Sequence, residues 1–390
     1  MMSIYKITLE PIGAFFFGGE RSFSISTRDK HGNPSHPEDK WSSYIVESNK
    51  FPQQTSLLGM LRFVLLKNSS DCFDLTENKI KNGAKDKVEA LIGPTGFKVN
   101  QDYKENKFGV INSISPCYIE HNCKLLMPTP LDYGLKVSFP STENTAVYNN
   151  TNNIQIPYIE SLKAKGTDKQ YSGKTERVSG LLYLEDGGFV SYDKVFTKDT
   201  RVGINRDIKT GKTGDNALFK QVSYKLKNGC KFCFYATITD DSAIPSSSIA
   251  ELGGDSSKFA ITFSKLADGE KEPNKFNNVI KSSNKPSVVL LADTFIDNND
   301  YIYAISENTP FTFLVSSVAE TTQYNRTPKQ GKTSNYLHRS DRYSLFKRGS
   351  VFYFNEKNEA EEKGKADSFA EAIESKACFF QIGYNKCEIK

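Results

Sequence analysis

The chain opens on an imperfect alternation, with Ile4, Ile7 and Leu9 set between polar neighbours, which predicts a strand over residues 3–10. Residues 14–17 prolong it until Gly18-Gly19 breaks the pattern, and 21–51, rich in Gly, Pro, Ser and charge, reads as a long loop. Pro52 then introduces a helix over 53–67, where Leu57, Leu58, Leu61, Val64 and Leu65 recur at helical spacing. Phe63 and Leu66 widen its apolar face, so burial on most sides is expected. A second, polar helix is predicted over 77–92, and strands over 108–127.

Residues 138–180, crowded with Asn, Thr and Lys, read as an insertion. Two aromatic-rich, strand-like runs flank Asn228-Gly229 within 218–240. Further strands are expected at 259–263, 287–291, 311–315 and 350–354, then a helix at 367–375 and a last strand at 378–384. Many antiparallel strands with few helices predict an α+β fold. At 390 residues two domains are expected, 1–217 and 218–390, with the boundary at the end of a Gly- and Lys-rich stretch.

Composition adds little until charge is mapped. The net charge is only +5, yet 323–348 holds seven cations (Arg326, Lys329, Lys332, Arg339, Arg342, Lys347, Arg348) against Asp341. That surplus of +6 exceeds the net charge of the whole chain. Tyr324, Tyr336, Tyr343 and Phe346 are interleaved with the cations. Cations neutralise phosphates and aromatic faces stack on unpaired bases, so the segment reads as a track for single-stranded RNA or as a solvated basic loop. A weaker basic stretch carries Arg201, Arg206, Lys209, Lys212 and Lys220 among glycines.

Catalytic and metal chemistry finds little footing. Three Gly-Lys-Thr triplets, at 173–175, 211–213 and 331–333, lack the glycine five positions earlier that a phosphate-cradling loop needs; Asp168, Arg206 and Arg326 stand there. Cys230 and Cys233 form one CxxC without a second pair, and on a strand their thiols would point to opposite faces. The odd count of seven cysteines fits reduced thiols. With no signal peptide or apolar span, a cytoplasmic chain is expected, and neither cofactor nor metal. One enzymatic possibility stays open: His31 or His36, in a loop with Lys30 and Lys40, serving as the base of a metal-free ribonuclease.

Several segments, in order, resemble the RAMP superfamily of CRISPR proteins. They are Phe15-Phe16-Phe17-Gly18-Gly19-Glu20-Arg21, then Pro52-Gln53-Gln54-Thr55-Ser56-Leu57-Leu58-Gly59-Met60-Leu61-Arg62, then Met127-Pro128-Thr129-Pro130-Leu131-Asp132. Arg201-Val202-Gly203-Ile204-Asn205-Arg206-Asp207, Leu252-Gly253-Gly254-Asp255 and Arg348-Gly349-Ser350-Val351-Phe352-Tyr353-Phe354 complete the set. The last four are most similar to one branch, the subunit of type III-B (Cmr) complexes that holds the 5′ tag of the CRISPR RNA.

The resemblance implies two tandem ferredoxin-like (RRM-like) domains whose glycine-rich loops line an RNA groove. It also implies docking to a large polymerase-like subunit and to backbone RAMP subunits, and no catalysis. A RAMP endoribonuclease cutting precursor CRISPR RNA is the alternative. The RNA-binding set is then Gly18, Gly19, Arg21, Thr55, Ser56, Arg62, Gly203, Arg206, Lys209, Lys212, Arg326, Arg339, Arg342, Tyr343, Lys347, Arg348 and Gly349. Thr55 and Ser56 either offer the helix start to phosphate or merely cap it. Arg62, on an apolar surface, is expected to face RNA or a carboxylate.

Overall fold

A computed structural model describes residues 2–19, 21–23, 44–134, 136–138, 158–160, 178–206, 210, 213–267, 269–270, 286–315, 338–354 and 358–390. Its first larger elements are β1 (Ser3–Pro11), α1 (Gln54–Asn68), α2 (Lys85–Ile92), β2 (Ile111–Ile114), β3 (Tyr118–His121), β4 (Lys124–Pro128), β5 (Gly180–Tyr183) and β6 (Phe189–Ser191). Next come β7 (Phe196–Arg206), β8 (Thr213–Leu226), β9 (Cys230–Ile238), β10 (Ser247–Glu251) and β11 (Lys258–Lys265). The chain continues through β12 (Ser287–Leu290), β13 (Tyr303–Ile305), β14 (Val351–Tyr353), α3 (Glu359–Glu374), α4 (Ala377–Gln381) and β15 (Cys387–Ile389). The fold is α+β. Among the described residues no helix is long and apolar enough to cross a membrane.

A nine-stranded antiparallel sheet forms the centre, in the order β6-β5-β4-β3-β9-β1-β11-β10, with β2 also pairing β9. Strand alternation sends Tyr5, Ile7 and Leu9 into the main core, while Ile4 packs on a second cluster around Tyr118, Met127 and Tyr235. The sheet is therefore buried on both faces, which is why β1 reads as imperfect alternation. Cys230 belongs to one cluster and Cys233 to the other, so the two thiols diverge. α1 covers the main core with Leu57, Leu61, Val64 and Leu65, each at most 1% exposed.

Two smaller sheets flank this centre. The long hairpin β7–β8 is extended by Tyr44–Glu47, parallel to β8, and by Arg21–Phe23. The second has the order β13-β14-β12-β15 and is covered by α3 through Ala366, Phe369 and Ile373. The boundary expected between 217 and 218 falls inside β8. Beyond it, β9 and β11 flank β1 in the central sheet.

The predicted α1 is found one residue later, and strands cover most of the other predicted positions. Three expectations change. The helix over 77–92 shrinks to Lys85–Ile92, because Asp74 accepts hydrogen bonds from the Thr76 and Glu77 N–H groups and sets a turn instead. The strand at 378–384 is the short helix α4 followed by a left-handed turn at Gly383 (φ +82°). A short apolar run of this length carries no period that separates the two. Finally, α3 begins eight residues early, at Glu359, where Asn358 caps the N–H of Glu361 and three glutamates oppose the helix dipole. The two runs beside Asn228-Gly229 enter different sheets. Most of 21–51 and of 138–180 lies outside the described residues.

Candidate nucleic-acid interface

Of the predicted site residues, Lys347 and Arg348 line a cleft of about 220 Å³ on which three segments converge. The first, 47–53, is the approach to α1. It is held by close backbone contacts: the Asn49 N–H donates to the Gly18 carbonyl (2.7 Å), and the Phe17 N–H donates to the Ser48 hydroxyl (2.8 Å). A Cβ at Gly19 would collide with the Glu47 carbonyl, so the glycine pair serves this packing.

The segment delivers Lys50, whose ammonium lies 4.7 Å from the Tyr192 ring centre and 5.3 Å from that of Tyr224. Burial lowers the Lys50 pKa, and the neighbouring Lys198 and Lys347 push the same way against the opposing attraction of Glu47.

The second wall is Pro128, Thr129 and Leu131. It rests on the third segment, the turn at 347–349. The Leu131 N–H donates to the Gly349 carbonyl (2.7 Å), and a Cβ at Gly349 would stand 2.7 Å from the Thr129 carbonyl oxygen. Gly349 (φ +85°) is thus required twice, by conformation and by space.

Arg348 is only 9% exposed and is committed to protein. Its Nε lies 3.6 Å from Asp293, an Nη donates to the Cys117 carbonyl (3.0 Å), and the guanidinium covers the Phe51 ring at 4.6 Å. Lys347, 3.6 Å from Glu307, keeps more than a third of its surface open. Lys50 and Lys347 thus line the cleft together with the carboxylates Glu307 and Asp293, with Arg348 as the rivet behind them.

The remaining candidates are dispersed. Ser56 is exposed, and Thr55 is half-buried with its side chain toward the Tyr384 hydroxyl, so α1 begins against protein on that side. Gly203 lies in β7, Arg206 ends that strand, and Arg21 is in register with Val46. Arg339 sits in a two-residue strand, His338–Arg339, and Arg342 is exposed. Lys209, Lys212, Arg326, His31 and His36 lie outside the described residues.

Two roles are corrected. Tyr343 is not a free stacking platform: its ring packs against Phe313 (6.1 Å, 20°) and Phe295 (5.6 Å, 86°) at the edge of the main core. Arg62 has backbone carbonyls, not a carboxylate, as its protein partners. Its Nε donates to the Ile92 carbonyl (2.7 Å) and an Nη to that of Gly93 (3.3 Å), capping the C-terminus of α2, where orphan carbonyls and the dipole favour a cation. Burial lowers its pKa to about 10, which still leaves it charged at neutral pH. Arg62→Met is expected to cost about 1–3 kcal/mol in denaturant unfolding with no change in the salt dependence of RNA binding. A changed salt slope would return Arg62 to the RNA site.

Sequence reasoning missed Lys50, since one lysine among 51 Lys and Arg carries no signal of its own. Its position two residues ahead of the family-like segment that opens at Pro52 was the available hint. Among the described residues no group of three or more His, Cys, Asp or Glu is placed to hold a metal ion.

Residues 7–389 match the model of one family of CRISPR-associated proteins. The chain belongs to this family, described as CRISPR-associated protein (Cas_Cmr3), and is thereby a subunit of the Cmr class. A chain in the cryo-EM structure of the type III-B Cmr-beta bound to cognate target RNA and AMPPnP, state 1, aligns at TM-score 0.44 and 12% identity, covering 97% of this chain and 94% of the other. A chain in the structure bound to cognate target RNA alone aligns at 0.42 and 13%, covering 97% and 95%. A comparison with curated protein sequences gave no match.

Proposed function

We propose that this chain is a non-catalytic RNA-binding subunit of a type III-B CRISPR effector complex. It holds the 5′ tag of the CRISPR RNA and docks to the large polymerase-like subunit and the first backbone subunit. In this reading the α+β frame is a pair of ferredoxin-like units, with α1 covering the first sheet and α3 the second, interlocked through β9 and β11.

The observation that carries the reading is the cleft. Lys50 and Lys347 line one opening, beside Glu307 and Asp293, in walls packed against Gly18-Gly19 and Gly349, and Arg348 ends the basic run there. A ribose–phosphate backbone is the polymer that such spaced ammonium groups and close backbone walls accommodate.

Lys50→Ala/Lys347→Ala is expected to weaken binding of tag-bearing RNA and to flatten the log-affinity versus log-salt slope by about 1.4, or 0.7 per lost phosphate contact. Titration at several salt concentrations reads both quantities. An unchanged slope in a folded double variant removes the cleft from the RNA path.

A further inference from the structure

A second concavity, about 570 Å³, opens between α3, the outer edge of β15 and the β3 region. Its charge is opposite to that of the first. Asp367, Glu371 and Glu374 stand at i, i+4 and i+7, one stripe of α3, and Glu388 of β15 adds a fourth carboxylate. Among the described residues the lining holds one Lys or Arg, Lys386, whose ammonium lies over the Phe380 ring at 3.1 Å. The floor is apolar, built from Tyr118, Leu291 and Phe380.

An independent feature borders the same groove. Among the described residues β15 ends its sheet and pairs with β12 alone. The Lys390 N–H donates to the Ser287 carbonyl (2.8 Å), and the Lys386 carbonyl accepts from the Leu291 N–H (2.8 Å). Residues 386, 388 and 390 therefore turn their backbone groups toward β12, and Cys387 and Ile389 turn theirs outward. An open edge beside an apolar floor takes an added strand through main-chain hydrogen bonds. The four carboxylates then select its side chains: they repel phosphates and attract lysine or arginine.

We infer that this groove docks an extended segment of a neighbouring protein subunit, with alternating basic and apolar side chains, laid along β15. The inference rests on the subunit reading above and assigns one face of it to protein.

The test uses a complex assembled from purified subunits. Carbodiimide, which joins carboxylates directly to touching lysines, is expected to link Glu371 and Glu374 to one segment of one partner subunit. Glu371→Lys/Glu374→Lys, both at exposed helix positions, should lower incorporation of the chain by about tenfold or more while its own binding of tag-bearing RNA stays unchanged. Glu371→Gln/Glu374→Gln should give a smaller loss that high salt erases. Unchanged incorporation of the reversed variant, RNA cross-links in the groove, or carbodiimide links confined to this chain or a second copy of it each overturn the inference. If the unaltered chain also fails to enter the complex, the subunit reading itself falls, and this inference with it.

Discussion

Asp132→Asn is expected to destabilise the protein by about 3–5 kcal/mol in denaturant titration, among the largest effects open to a single surface-distant substitution. Asp132 ends the Met127–Asp132 motif and is 1% exposed at its side chain, with Lys390 at 3%. The Lys390 ammonium donates to both carboxylate oxygens (2.8 and 2.9 Å), and the Tyr353 hydroxyl donates to one of them (2.7 Å). Burial outweighs the attraction of Asp132 and lowers the Lys390 pKa, so the charge is tolerated rather than favoured there. Removing the charge of the carboxylate leaves the buried ammonium without its opposing charge. Removing both charges is milder: Asp132→Asn/Lys390→Met should recover at least half of the loss. Equal losses in the single and double variants would show that the pair is not coupled.

Gly383→Ala should cost about 2–4 kcal/mol, because conformation and space both oppose it. The residue sits at φ +82°, and a Cβ there would run into Gln54 Nε2 and the Ser115 carbonyl. Those two groups are themselves bonded: fully buried Gln54 donates to the carbonyls of Ser115 (2.7 Å) and Ile382 (2.8 Å), tying the start of α1 to the C-terminal turn. Gly59→Ala is the control, since nothing lies within 4 Å of a Cβ in mid-α1. It should stabilise by about 0.5–1 kcal/mol. A melt in which both variants behave alike would separate Gly383 from this joint.

How much of this was legible depended on how many partners a residue needs. α1 could be read because Pro52 and the leucine spacing are local signals, and the strands around Gly229 because a glycine turn punctuates aromatic runs. The glycines of the cleft were legible as a family pattern, but not their reasons, which are carbonyls far along the chain, such as that of Thr129 beneath Gly349. Arg62 misled because a cation on an apolar helix suggests a charged partner, whereas its partners are the backbone carbonyls of Ile92 and Gly93. Tyr343 misled for a similar reason. Spacing among cations suggested a surface role, yet Phe295 and Phe313 reach its ring from another part of the chain. The run at 378–384 folds as a helix and turn because Phe379, Ile382 and Tyr384 all enter the main core, which no alternating face could achieve.

The pairing of the first strand bears on the order in which the chain can fold during synthesis. Ser3 lies opposite Ile238, and Tyr5 opposite Lys265, so β1 has neither neighbour until well over half the chain has been made. Closing loops of that length precedes any stabilising return, the regime in which folding is slow and apolar strand edges stay open to wrong partners. A nascent chain of this design depends on whatever shields β1 while the ribosome works toward residue 265.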